Sequence, residues 1–317
     1  MITNGIVRNR TVRKYGGKNM TEEEKTVETG ETDAPAEETV SAAEEPAESG
    51  KTAENAEASG TETKPKKKKG KIVLRVILIV LAVIVLGIGI AVASVMLTKR
   101  PAAKTAEEYA AEYAKAVIKV TENGSVEIRP AEGIENRGVG IVFYVGAEIE
   151  PEAYIPLLAP LSEQGCTCFI PKMPGNVATF KAGEAGKIID ANGEIGTWYL
   201  AGHSLGGFTA AGYAKDHTDK IKGLIFLAAY TGTDISGTDL KLLSVYGDTD
   251  TVLNGDRYEK ARSWNPASFE EHIIAGGNHA QFGDYGEQPK DTPATVSAAD
   301  QRAQTVTFIL SWLDAQV

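Results

Sequence analysis

The chain has 317 residues, 42% of them hydrophobic, and its 43 acids against 33 bases leave a formal net charge of −10. That is room for one large domain or two smaller ones. Acids also exceed bases beyond residue 105, which excludes the concentrated basic surface that a nucleic-acid partner requires. Two cysteines and four histidines make neither a disulfide framework nor a zinc-ligand spacing, so no metal or cofactor is expected.

The chain opens on a basic stretch, 1–20, and Met20, at the head of the acidic run that follows, is a second candidate start. Residues 21–63 are almost wholly Glu, Thr, Ala, Ser, Gly and Pro. Such a segment cannot bury enough apolar surface to offset its chain entropy, and disorder is expected. Lys64, Lys66 to Lys69 and Lys71 come next, then an apolar run, 72–97, whose only charge is Arg75. Uncharged from Val76 to Leu97, the run is long enough to cross a hydrocarbon layer of roughly 30 Å as a helix, with Arg75 snorkelling to the headgroups. The lysines before it outnumber Lys99, Arg100 and Lys104 after it, which favours a cytoplasmic N-terminus and an exported C-terminal domain. Lys66 to Lys69 read as topology signal and lipid-headgroup contact. Ala91-Val92-Ala93 resembles a signal-peptidase site, but the long preceding tail and the long apolar run favour a retained anchor over cleavage. The expected organisation is a tail over 1–71, a transmembrane helix over 72–97, a linker over 98–104 and a folded domain over 105–317.

In that domain, Tyr109, Tyr113, Ala116 and Val117 share one face of a helical pattern that starts after Pro101 and runs to about Val117. Asn123-Gly124 marks a turn and 125–128 a strand; whether 118–120 pair with it is left open. Gly140 to Val145 is apolar without interruption, as strands buried on both faces are. A regular alternation follows: helix 151–164, strand 167–170, helix 183–192, strand 197–201, helix 205–215, strands 223–228 and 241–246, helix 256–264, strand 270–274 and helix 298–313. Such alternation predicts an α/β fold, a parallel sheet with helices on both faces, whose reacting groups lie on loops at the carboxyl ends of the strands. Cys166 and Cys168 stand two apart on one strand, too close for an unstrained bridge, and are expected as small buried hydrophobes.

The stretch Trp198 to Gly207 is strand, sharp turn and helix, with Ser204 at the apex of GHSLGG. A nucleophilic serine raised above a sheet needs a strained turn, and side chains at Gly202 or Gly206 would collide with the adjoining elements. The same turn sets the Leu205 N–H at a helix N-terminus, where it can donate to an oxyanion. A serine hydroxyl needs a base. Of His203, His217, His272 and His279, only His279 sits on a loop just past a strand's carboxyl end, in GGNHAQFG. The base needs an orienting carboxylate, and strand 241–246 ends in Gly247-Asp248-Thr249-Asp250. Either aspartate can serve; Asp250, three residues past the glycine, is preferred. The second oxyanion donor is sought after strand 140–145, at the N–H of Ala147, with Gly146 next.

With these residues in place, the chain from about Ala116 to Trp312 resembles the α/β-hydrolase superfamily, in particular the group called alpha/beta hydrolase family 5. FYVGAEIEPEAY at 143–154, Met173-Pro174-Gly175-Asn176, GHSLGG, GLIFLAAY at 223–230, YGDTD and GGNHAQFGDYGEQP carry the likeness. The resemblance implies a hydrolase with the triad Ser204, Asp250 and His279; it names no substrate. Thr251 stands where a proline often follows the acid. Many relatives insert a helical lid where this chain has only the short connection 231–240, so little or no cap is expected. The site is then open, lined by Gly146, Asn176, Tyr230, Phe282 and Tyr285, and suited to an exposed ester or small acyl compound. The expected activity is that of a membrane-anchored serine hydrolase, carboxylesterase-like. Acyl transfer to an envelope component and a non-catalytic binding module are the alternatives.

Overall fold

A computed structural model describes residues 69–97 and 99–316. The acidic tail and Lys66 to Lys68 lie outside the described residues. Helix α1 (Lys69–Leu97) takes in the expected membrane span. Its described side chains from Leu74 to Leu86 are exposed and, Arg75 apart, apolar. Over the described residues no helix is long and apolar enough to cross a membrane. By its contacts the chain divides between Leu81 and Ala82, inside α1, and the sheet with all its helices belongs to the C-terminal unit.

In that unit Thr105 begins α2 (Ala106–Glu112) with a capping box. Its hydroxyl accepts the Glu108 N–H, and the Glu108 carboxylate accepts its own N–H. The helix is shorter than the spacing predicts. Ala116 and Val117, expected on its face, belong instead to β1 (Ala116–Val120), which pairs antiparallel with β2 (Val126–Pro130) across the Asn123-Gly124 turn. The β-branched Val117, Ile118 and Val120 suit a pleated edge better than a helix turn. Ahead of α2 the chain is tied to two loops. Arg100 donates its N–H to the Glu148 carbonyl at 2.8 Å and accepts the Glu150 N–H at 3.0 Å, and Ala103 donates to the Asp284 carbonyl at 2.8 Å.

The remaining strands are β3 (Val139–Tyr144), β4 (Thr167–Ile170), β5 (Thr197–His203), β6 (Gly223–Leu227), β7 (Lys241–Gly247) and β8 (Phe269–Ile274). The 8-stranded sheet runs β1-β2-β4-β3-β5-β6-β7-β8, antiparallel at β1 to β2 and β2 to β4 and parallel elsewhere. Side chains alternate across it as a pleat demands. Ile141, Phe143, Tyr199 and Ala201 join the cluster under α3 (Ile155–Glu163) and α7 (Ala298–Asp314). Val142, Tyr144, Trp198 and Leu200 join the opposite cluster, under α4 (Glu184–Ala191) and α5 (Leu205–Lys215). Both faces of the central strands are therefore buried, and each fully buried aliphatic side chain contributes roughly 1.5–3 kcal/mol of transfer free energy. Cys166 and Cys168 are free and buried, and burial pushes the Cys166 thiol up to about 11.

No helix lies between β6 and β7. The connection instead turns Ile235 and Leu240 inward, into the same cluster as Ala210 and Ala214 of α5. After β7, α6 (Gly255–Ala261) leads toward β8. Gly140 and Trp198 stand opposite each other in β3 and β5, and the indole lies over the glycine. A Cβ there would fall 2.4 Å from the ring. Gly140→Ala is expected to lower stability by about 1–3 kcal/mol through overpacking, read as a lower urea midpoint at unchanged slope; an unchanged midpoint would show that the indole moves aside freely.

Candidate active site

At the carboxyl end of the sheet, β5 passes into α5 with Ser204 alone between them, at φ 52° and ψ −120°. A side chain at positive φ costs of order 1–3 kcal/mol, so its surroundings must impose it. The Ser204 N–H donates to the Leu227 carbonyl of β6 at 2.9 Å, and its carbonyl accepts the Phe208 N–H at 3.2 Å. Close packing supplies the rest. A Cβ on Gly202 would stand 2.4 Å from the backbone of Gly206 and Gly207, and one on Gly206 would stand 2.0 Å from the Tyr144 carbonyl oxygen. These two glycines let α5 begin directly against the ends of β5 and β3.

The loop after β7 carries Asp250. Its Oδ1 accepts the N–H groups of Val252 and Leu253, each at 2.8 Å, and its Oδ2 lies 2.8 Å from His279 Nδ1. Both residues are buried. A buried carboxylate at that distance needs a donor, which puts the proton on His279 Nδ1 and leaves Nε2 as the acceptor. Asp248, the other aspartate of the turn, accepts the Gly276 N–H at 2.7 Å. The Thr251 hydroxyl donates to the Lys290 carbonyl at 2.8 Å and accepts the Thr292 N–H at 2.9 Å.

His279 lies beyond β8, where a short 3-10 turn, Ala280–Phe282, begins. Its loop is held by side chains rather than by the sheet. Gln301 of α7 accepts the Asn278 N–H at 3.0 Å and donates to the Asn278 carbonyl at 2.8 Å. Asp291 accepts the Ala280 N–H at 2.9 Å, and Asn278 Nδ2 donates to the Thr292 carbonyl at 3.0 Å.

Beneath the His279 ring runs a buried polar chain. The Gly146 N–H donates to Tyr154 Oη at 3.0 Å, and Tyr154 Oη lies 2.8 Å from His203 Nδ1. The phenol already accepts from Gly146, and burial holds its pKa well above 10, so its own proton goes to His203 Nδ1. His203 Nε2 is buried and lies toward the His279 backbone without reaching hydrogen-bond geometry. The two imidazoles pack with ring centroids 4.5 Å apart. Burial first, and the neighbouring His279 second, push His203 well below its ordinary value of 6.5. It is a neutral ring beside His279, and adds no charge there.

A cavity of about 440 Å³ has both Ser204 and His279 on its wall, with Leu205, Phe208, Tyr230 and Arg257 among their neighbours. Among the described residues no hydrogen bond joins the Ser204 hydroxyl to His279, a contact that often tightens only when substrate binds. Leu205 is on the wall, while Ala147 lies outside it and is exposed. Gly146 cannot offer its N–H to a substrate, because Tyr154 takes it. Of the predicted lining residues, Tyr230 reaches the cavity, whereas Gly146, Asn176, Phe282 and Tyr285 do not. Phe282 packs under the His203 ring at 5.8 Å, and Tyr285 is turned to Gln288 and to the Arg100 guanidinium. Asn176, at φ 56°, is fully buried, its carbonyl accepting the Glu148 N–H at 2.9 Å, and its side-chain amide finds no partner among the described residues.

Sequence reasoning passed over Tyr154, Gln301 and Arg257, and weighed His203 only as a base. Gln301 had a signal: with Thr305 and Ile309 it follows helical spacing on the buried face of α7, where a polar side chain needs a reason. Tyr154 and His203 had none, since they meet only in the fold.

A family model described as the alpha/beta hydrolase family matches residues 140–303. No curated protein matches the chain. Among solved structures, the chain is similar to a protein described as a predicted CIB-like hydrolase from Thermoplasma acidophilum, at 18% identity over 61% of this chain and 98% of that one, with a TM-score of 0.46. It is also similar to Est1E from Butyrivibrio proteoclasticus, at 16% identity over 63% and 99%, with a TM-score of 0.45. A third is MGS-MChE2, an alpha/beta hydrolase enzyme from a lagoon-sediment metagenome, at 13% identity over 63% and 99%, with a TM-score of 0.48.

The neutral His203 sets a pH dependence. Below its ordinary value of 6.5 the unfolded chain takes up a proton that the folded chain refuses, so stability falls with pH, by up to about 1.4 kcal/mol per unit for one such group. Urea unfolding of wild type and His203→Gln between pH 7 and 5 is expected to show the wild type losing more stability. Parallel losses would mean that His203 protonates in place.

Proposed function

The chain belongs to the alpha/beta hydrolase family, and from that premise we propose that it is a serine hydrolase cleaving an ester or related acyl bond through an acyl-enzyme on Ser204. The observation that carries this reading is the Ser204 turn sharing one cavity with His279, whose far nitrogen is bound to the buried Asp250. Ser204 Oγ attacks the carbonyl carbon and gives its proton to His279 Nε2. The new oxyanion takes a hydrogen bond from the N–H of Leu205, at the start of α5, while the expected second donor, Ala147, lies outside the cavity. As the intermediate collapses, the bond to the leaving group breaks, and His279 returns the proton to it. Water then repeats the sequence on the acyl-enzyme, again losing its proton to His279, and the acid is released. Asp250 stays ionised throughout. Its second oxygen is fixed by the Val252 and Leu253 N–H groups, so the first is always presented to Nδ1.

The absence of a helix between β6 and β7 supports an open site for an exposed or small ester. The uncharged run from Val76 to Leu97 supports a membrane anchor, with Lys66 to Lys69 at the headgroups, the N-terminus cytoplasmic and the catalytic domain outside.

Ser204→Ala is expected to abolish covalent labelling by a fluorophosphonate along with turnover of p-nitrophenyl esters. Labelling that survives the change would sink the assignment. Asp250→Asn, which no longer stabilises the imidazolium, is expected to lower kcat by roughly three to four orders of magnitude, and Asp248→Asn by far less; the reverse ranking would move the acid to Asp248. Full-length chain is expected in the carbonate-resistant membrane fraction, and a deletion of 72–97 in the soluble one. A full-length protein extracted by carbonate would argue against the anchor.

A further inference from the structure

The cavity that holds Ser204 and His279 also carries an arginine. Arg257 lies in the first turn of α6, where its N–H is fixed at 2.9 Å by Asn254 Oδ1, and it is one of the residues lining the cavity. It is the permanently charged member of that wall. Asp250, the nearest acid in the mechanism, does not line the cavity and is committed to His279 and two backbone N–H groups.

Among the described residues Arg257 forms no ion pair, in a chain whose net charge is −10. The contrast on the same segment is Arg262, which is paired with both Glu259 and Glu271. Asp256 precedes Arg257 directly, and adjacent residues on a helix do not face each other. The rest of the wall near the serine is apolar or neutral, with Phe208, Ala229, Tyr230 and Leu253. A fork of five donors left without an acceptor, at one side of an otherwise neutral cleft, is suited to a planar carboxylate or a phosphate.

We infer that Arg257 is a specificity determinant, selecting esters that carry an anionic group on the acyl or the alcohol part a short chain away from the carbonyl that Ser204 attacks. The inference takes Ser204 as the reacting group, as proposed above. A cavity of about 440 Å³ accepts a small acyl chain with its alcohol, so the anion and the scissile bond fit together within it. Arg257 is exposed toward solvent, and its pull is therefore weakened by salt.

The test measures binding without turnover. Ser204→Ala protein is titrated, by NMR at low salt, with p-nitrophenyl hemisuccinate against p-nitrophenyl butyrate, and with 4-acetoxybenzoate against its methyl ester. The first pair places the charge on the acyl side, the second on the leaving side. In at least one pair the anion is expected to bind roughly tenfold more tightly, the preference shrinking at 0.5 M salt. In Ser204→Ala, Arg257→Gln the preference is expected to disappear, and in the Arg257→Glu counterpart to invert. No preference in either pair, or one that survives Arg257→Gln, would overturn the inference. Wild-type protein that turns over none of the four esters, with the binding preference intact, would strike at the hydrolase reading and leave the anion site standing.

Discussion

Everything at the site depends on how closely α5 approaches the ends of β3 and β5. With no Cβ at Gly202 or Gly206, backbone meets backbone, and the residue between strand and helix is Ser204, at φ 52°. The strain of order 1–3 kcal/mol is local, while the packing that enforces it extends through both apolar clusters. The site therefore cannot relax without disturbing the sheet. That rigidity holds the Ser204 side chain at the end of the sheet instead of letting it fold back into a turn.

The groups around the serine are held in a different way. His279 sits on a loop with little regular structure, and its position comes from side chains that reach in from elsewhere: Gln301 from α7, Asp250 from the β7 loop and Asp291 from further along the chain. The loop after β3 is fixed through the Gly146 N–H, the Tyr154 hydroxyl and His203. Polar chains of this kind are costly to leave half-made in a low dielectric, so they specify one arrangement. They also divide the labour between two neighbouring histidines. One is bound to a carboxylate and faces the cavity; the other is bound to a phenol and is kept neutral.

How much of this was legible in the residues depends on distance along the chain. The sheet and its covering helices could be read because runs such as Gly140 to Val145 and Gly223 to Leu227 are apolar on both faces, which is a local property. The serine turn and the GGNHAQFG loop are likewise local. The first helix was read too long because Ala116 and Val117 continue the spacing of Tyr109 and Tyr113; what ends it is the hairpin partner, Val126–Pro130, which no helical pattern reveals. Phe282 and Tyr285 looked like cavity residues because they follow His279 so closely, but the 3-10 turn carries Phe282 beneath the imidazoles instead. Between Asp248 and Asp250 the distance from Gly247 favours Asp250, and the loop folds that carboxylate toward the His279 ring while Asp248 takes the Gly276 N–H. Arg257 was invisible, since a lone arginine on a short helix is ordinarily just solvated.

The stretch between α1 and α2 gives the molecule a mechanical character. Its backbone is stitched at Arg100 to the loop after β3 and at Ala103 to the loop that follows His279. Tension on the chain ahead of residue 99 would thus be carried first by those loops and only afterwards by the sheet, so a pull on that segment would be felt beside Ser204 and His279 before anywhere else.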